Sequence, residues 1–134
     1  MARAIFSKTS APSVEAGGGF NTPGNDVIYT LTITNPTGTT IDAGSVVLND
    51  LLPDNVVFRN SPFDGATSSP IKLASSGGLS LAGSSISYRQ SGSASFTYTP
   101  SAGYDNQVAE IRITPGGELA ANSSAVFQFK AQVE

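Results

Sequence analysis

One segment constrains the fold of this chain more than any other. Asp26-Val-Ile-Tyr-Thr-Leu-Thr-Ile-Thr34 alternates without a break. Val27, Tyr29, Leu31 and Ile33 share one parity, and Ile28, Thr30, Thr32 and Thr34 share the other. Successive side chains of a strand point to opposite faces, so this pattern predicts a strand with an apolar face and a hydroxyl-rich face. Such a strand belongs in an antiparallel sheet with one buried and one solvated side. The pattern returns at the other end of the chain. Within Ser124–Val133, the residues Phe127, Phe129, Ala131 and Val133 fall on one face. Gln107–Ile113 repeats it more briefly: Val108, then, with Ala109 set aside, Ile111 and Ile113.

No segment has the i, i+3, i+4, i+7 apolar spacing of an amphipathic helix. The 14 Gly and 8 Pro suit many short strands joined by turns. Further strands are expected at Ala2–Lys8, Val46–Leu48 with Leu51–Leu52, and Val56–Phe58. In the Ser- and Gly-rich middle they are expected at Ile71–Leu73, Leu79–Leu81, Ile86–Tyr88 and Ala94–Tyr98. A polar connection is expected from Ser10 to Asn25, and Asn35-Pro-Thr-Gly38, Pro53-Asp54 and Pro115-Gly-Gly117 mark turns. The sum is about seven to nine strands in an all-β antiparallel sandwich. Parallel α/β folds need crossover helices, and none is visible. A length of 134 residues fits one domain spanning 1–134.

Composition narrows the function. Charged residues make up 13% of the chain, against about 25% in an ordinary soluble domain. Ser, Thr, Gly and Asn take their place, as on many secreted β-proteins. The net charge is −3, and the seven basic residues are scattered from Arg3 to Lys130. A nucleic-acid backbone or an anionic membrane requires a positive footprint that this chain lacks. Cysteine and histidine are absent. That excludes disulfides, thiol chemistry, imidazole bases and the commonest neutral metal ligand. No run of apolar residues reaches the length of a membrane-spanning helix, and Met1–Phe6 has no signal-peptide core.

Four segments taken together resemble the DUF11 family of bacterial surface repeat domains. Phe6-Ser-Lys8-Thr9 is similar to its opening strand. Pro23-Gly-Asn-Asp-Val-Ile-Tyr-Thr-Leu-Thr-Ile-Thr-Asn35 is similar to its Pro-Gly turn, Tyr-Thr strand and closing Asn. Val46-Val-Leu-Asn-Asp50-Leu-Leu-Pro53-Asp-Asn-Val-Val-Phe58 is similar to its Asp-x-Leu-Pro strand and turn. Gly116–Val133 is similar to its last turn and strand. The region Ser61–Gly103 matches poorly. The resemblance implies an immunoglobulin-like sandwich, and a unit excised from a larger exported protein that places it outside the cell or on its surface. Any export signal would then lie outside this chain. It casts Tyr29, Asn35, Asp50 and Pro53 as structural motif residues.

Candidate chemistry is sparse. No serine sits in a Gly-x-Ser-x-Gly elbow. Ser7 and Lys8 are adjacent and on opposite strand faces, which does not make a Ser-Lys pair. Asp42, Asp50, Asp54 and Asp64 are turn-rich carboxylates with no sign of the cleft that glycoside hydrolysis needs. Asp50, Asp54 and Asn55 offer hard oxygens for calcium, but the calcium-loop signature is missing and ordinary turn roles are preferred. Asn122-Ser-Ser124 matches a glycosylation acceptor formally. Isopeptide bonds from Lys to Asn occur in some related surface sandwiches. Here Lys8 with Asn122 or Asn35 is the alternative left open, against the preferred reading of a lysine at a solvated strand edge.

The sequence therefore points to a non-catalytic structural or adhesion-related module without cofactors. The expected partners are neighbouring copies of the domain, or a surface glycan or protein, but not nucleic acid and not the bilayer. The alternative is a carbohydrate- or protein-binding module using the 61–104 region, with Tyr88, Tyr98 and Tyr104 as its candidate ligand surface.

Overall fold

The computed structural model describes residues 4–12, 24 and 26–134. Its centre is the pairing of two long alternating strands, β2 (Asp26–Asn35) and β11 (Ser123–Val133). They run antiparallel in unbroken register from Ser123 opposite Asn35 to Gln132 opposite Asp26. Directly opposed residues share a face, so Leu31 meets Phe127 and Tyr29 meets Phe129 on the core side. The Tyr29 and Phe129 rings stack with centroids 5.2 Å apart. The alternation of β2 is realised in full: Val27, Tyr29, Leu31 and Ile33 are buried, and the residues between them are half-buried.

The remaining strands are arranged around this pair. β1 (Ile5–Pro12) lies on the free side of β2. Two short strands share the other side of β11. β4 (Val56–Asn60) takes Ala131–Val133, and β5 (Ile71–Ser75) takes Val126–Phe129. β8 (Gly103–Asp105) extends the sheet beyond β4. The second sheet has the order β3 (Leu48–Leu51), β9 (Val108–Ile113), β7 (Ile86–Gln90). β6 (Leu79–Ser80) and β10 (Gly116–Gly117) form a small ribbon. A single 3-10 turn at Gly83–Ser85 is the one helical feature among the described residues. Leu31, Phe58, Phe127 and Phe129 from the first sheet and Ile111 and Ile113 from the second fill one fully buried core. The protein is an antiparallel β-sandwich.

Gly78 shows how tightly the ribbon is held. Its φ is +101°, and a Cβ there would run into the Glu118 carbonyl oxygen. Only glycine supplies that backbone conformation and that clearance together.

The described strands number eleven rather than about seven to nine. β8 and β10 are three and two residues long, too short for any alternation to register. Ala94–Tyr98 is not a strand; within it only Tyr98 makes a bridge, to Tyr88. The first strand runs later than expected, through Ser10–Pro12. Ala2, Arg3 and most of the expected connection, residues 13–23 and 25, lie outside the described residues. Val46 and Val47 precede β3 rather than belonging to it, although Val46 is buried. Pro53, expected among the core and turn positions, is exposed in the turn after β3.

Phe127→Ala leaves a void where the two sheets meet and should cost about 3–5 kcal/mol, read from urea unfolding midpoints. A loss below about 1 kcal/mol would refute this account of the core. Gly78→Ala should cost more than about 1 kcal/mol in the same assay.

Candidate functional site

A chain with few charges and many hydroxyls shows its special places through the polar groups it buries, since burial without a partner is costly. The buried polar residues among those described are Asn35, Asp50, Asp105 and Lys130.

Asn35 ends β2 and organises the turn after it. Its side-chain amide donates to the carbonyls of Thr39, at 2.7 Å, and of Ala120 and Leu119. Its Oδ1 accepts from the Thr37 amide and hydroxyl. One side chain thus ties the β2 turn to the segment leading into β11.

Asp50 and Asp105 sit at opposite edges of the sandwich. β1 is the edge strand of the first sheet and β3 the edge strand of the second. Lys8 faces Leu31 across β1 and β2, and Asp50 faces Ile111 across β3 and β9. Leu31 and Ile111 are core residues, so both Lys8 and Asp50 point into the gap between the sheets. There the Lys8 Nζ contacts Asp50 Oδ1 directly and lies 4.8 Å from the Tyr29 ring centroid. This corrects the expectation of a lysine at a solvated edge: β1 is an edge strand, but its lysine turns inward. Burial pushes the Asp50 carboxyl above its ordinary value, outweighing the hydrogen bond and charge of Lys8 that lower it. Burial, then the Asp50 charge, raises the Tyr29 phenol. Asp54 and Asn55 are exposed in the following turn, so Asp50 does not join them in a cation loop.

At the far edge, Asp105 on β8 accepts three hydrogen bonds. Tyr98 Oη and the Ser101 amide reach Oδ2 at 2.8 and 2.7 Å, and the Gln107 amide reaches Oδ1 at 2.8 Å. Burial alone would raise this carboxyl, but the three donors hold it below its ordinary value. Tyr98 also bonds the Tyr88 backbone, which links β8 of one sheet to β7 of the other.

The candidate tyrosines therefore fall into two places. Tyr88 and Tyr98 adjoin through that bridge. The Tyr88 ring packs 5.3 Å from Phe58, and burial pushes its phenol up to about 12. The Tyr98 phenol is raised by its hydrogen bond to Asp105 and then by burial. Tyr104 lies apart on the outer face of the first sheet, donating to Asp26 at 2.7 Å beside Arg59.

Phe63 is one of the aromatics of the middle region, but nothing in the sequence pairs it with Lys130. Lys130 points away from the core, yet it is buried, with its Nζ 4.8 Å from the Phe63 ring centroid. The β4–β5 connection lays Phe63 over this outer face, and Lys72, paired with Asp64 at 2.7 Å, flanks the same ring. Asp64 is held below its ordinary value chiefly by that Lys72 hydrogen bond. Arg112 likewise stacks on Phe96, 3.8 Å from the ring centroid.

An open cleft of about 670 Å³ is lined by Asn60, residues 66–73, residues 81–83, Ile86 and Tyr88. No cluster of three or more acidic residues among those described is placed to hold a metal ion, and no helix among them is long and apolar enough to cross a membrane. No known family, curated protein or solved structure matches the chain.

Asp105 yields a pH-dependent prediction. Its folded pKa lies below its unfolded value, so its stabilisation is complete above the ordinary carboxylate range and is lost as pH falls through the lowered value. Asp105→Asn should cost about 2–3 kcal/mol at neutral pH, and the difference from wild type should shrink in strong acid. Urea unfolding at both pH values checks this, and a pH-independent difference would contradict it.

Proposed function

We propose that this chain is a non-catalytic structural or adhesion-related module of a secreted or cell-surface bacterial protein, an immunoglobulin-like unit of the DUF11 type. The observation that carries the reading is the direction of the two outer ladders. β1 and β11 are both antiparallel to β2, so they run parallel to each other. Ile5 lies opposite Thr34, and Thr34 lies opposite Ser124. The chain enters β1 at the pole where β11 begins and leaves β11 at the other pole. At about 3.3 Å per residue, Ser124 and Val133 are roughly 30 Å apart. A unit with entry and exit at opposite poles projects its neighbours end to end. Tension along the chain then shears whole ladders lengthwise instead of opening them one bond at a time. The hydroxyl- and amide-rich surface and the structural employment of Asn35, Asp50 and Asp105 agree with this role.

Immunoblotting of fractionated source cells, with and without external protease, tests the reading. The expected result is a protein larger than 13.7 kDa that protease removes from intact cells. A cytoplasmic band of about that size would overturn it.

A second reading is favoured by the cleft between residues 66–73 and 81–88: a binding module for a glycan or a protein within the 61–104 region. Its polar lining includes Asn60, Thr67, Ser68 and Lys72. It predicts saturable binding on a glycan array or to an isolated surface protein, reduced at least tenfold by Asn60→Ala with Lys72→Ala. No binding by the folded wild-type chain would remove it.

A further inference from the structure

β1 leaves one side of its backbone unused. It pairs with β2 along all eight of its residues, and no strand among the described residues lies on its other side. An open edge of that length is a template for another strand, and proteins ordinarily blunt it with a bulge, a proline or a charge. β1 does little of this. Its register with β2 is unbroken, and its one proline is its last residue. Its one charge, Lys8, turns inward, where Asp50 answers it within the same copy. Apolar side chains gather here as well. Of the five large hydrophobics exposed among the described residues, Ile5 and Phe6 lie on β1, and Val47 and Leu51 lie at β3, the strand that faces β1 across the gap.

The same edge carries a projection and a recess. Phe6 faces Ile33 and so belongs to the inner face, yet it is 46% exposed. Lys8 and Ser10 point the same way further along the strand. With Thr9, Tyr29 and Pro53 they line a shallow groove of about 280 Å³, which Phe6 does not line. An apolar cavity of roughly 150 Å³ already holds a benzene ring.

We propose that this edge is a docking surface for a second copy of the chain, the two β1 strands pairing antiparallel about a two-fold axis at Ser7. In that register Phe6 of each copy stands opposite Lys8 of the other, and Ile5 opposite Thr9. Opposed residues share a face, so each Phe6 ring enters the other copy's groove and lies against the Lys8 side chain, where ring and cation attract. A register centred on Lys8 would instead set two lysines face to face. The contact is the same patch on both copies, so it closes at two. It joins two six-stranded sheets into one and draws the β3 rims, with Val47 and Leu51, toward each other. β8, the opposite edge of this sheet, has three residues, so β1 gains far fewer hydrogen bonds there than from its own copy. The contact is lateral, whereas the proposed module role uses the two poles, and neither depends on the other.

Sedimentation equilibrium of the full chain, from micromolar to millimolar concentration, tests this. The expected result is monomer and dimer in exchange, with no larger species. Ser7→Lys and Ser7→Glu each set like charges together on the axis and should weaken the dimer roughly fivefold or more. Neither should move the urea midpoint of the monomer, because Ser7 is exposed on the outer face. An equal mixture of the two variants should be more dimeric than either alone, since opposite charges then meet. Phe6→Ala should weaken the dimer by about tenfold or more. A chain that stays monomeric at millimolar concentration, a dimer indifferent to the Ser7 charges, a mixture no more dimeric than its components, or open-ended oligomers would each overturn the proposal.

Discussion

The ladder between β2 and β11 is the constraint on which the rest of this sandwich depends. It is the longest unbroken pairing among the described residues, and its inward side chains form the floor on which the second sheet rests. Because β2 has an apolar face and a hydroxyl face, a slip of one residue would send Tyr29, Leu31 and Ile33 into water and bring threonines into the core. The register is therefore fixed by burial, and every other strand of the first sheet inherits it. β1 is placed against β2, while β4 and β5 divide the opposite side of β11 between them. Asn35 adds a lock at one end by binding both the turn that leaves β2 and the segment that enters β11.

A sandwich built this way has two open sides, and the protein closes each with an aspartate. On one side Asp105 is fully partnered by two amides and a phenol, which makes a buried charge tolerable. On the other, Asp50 faces a single lysine across the gap between the sheets. These are opposite solutions to one problem. The first spreads a charge over several dipoles. The second sets an aspartate and a lysine side by side in the gap between the sheets, where burial raises the acid. The contrast also separates their roles: Asp105 shapes a loop, while Asp50 connects two edge strands far apart in sequence.

Much of the fold was legible in the residues because its elements carry period-two patterns. β2, β9 and β11 are found where alternation places them, and Phe127, Phe129, Ala131 and Val133 are buried as their parity requires. What was not legible depends on contacts without local periodicity. Gly103–Asp105 and Gly116–Gly117 are strands only because a neighbour supplies hydrogen bonds. Ala94–Tyr98 has strand-like residues, but Phe96 packs on Arg112 and the segment stays irregular. Lys130 reads as a surface lysine until the distant Phe63 is laid over it. Lys8 reads the same way until the second sheet places Asp50 in its path. At the candidate site, sequence could name Asp50 and Asn35 as structural residues, but it could not pair Lys8 with Asp50, because nothing in the chain between them encodes the approach of the two edges.

On the proposed role, force entering β1 and leaving β11 loads the β1–β2–β11 ladders in shear, because β1 and β11 run parallel on either side of β2. Single-molecule pulling measures this directly, comparing attachment at the two termini with attachment at Ile5 and the Thr37–Thr39 turn, which peels β1 from β2. The account predicts a single cooperative rupture at clearly higher force for the terminal pull. Equal force in the two geometries, or gradual extension at low force between the termini, would contradict it.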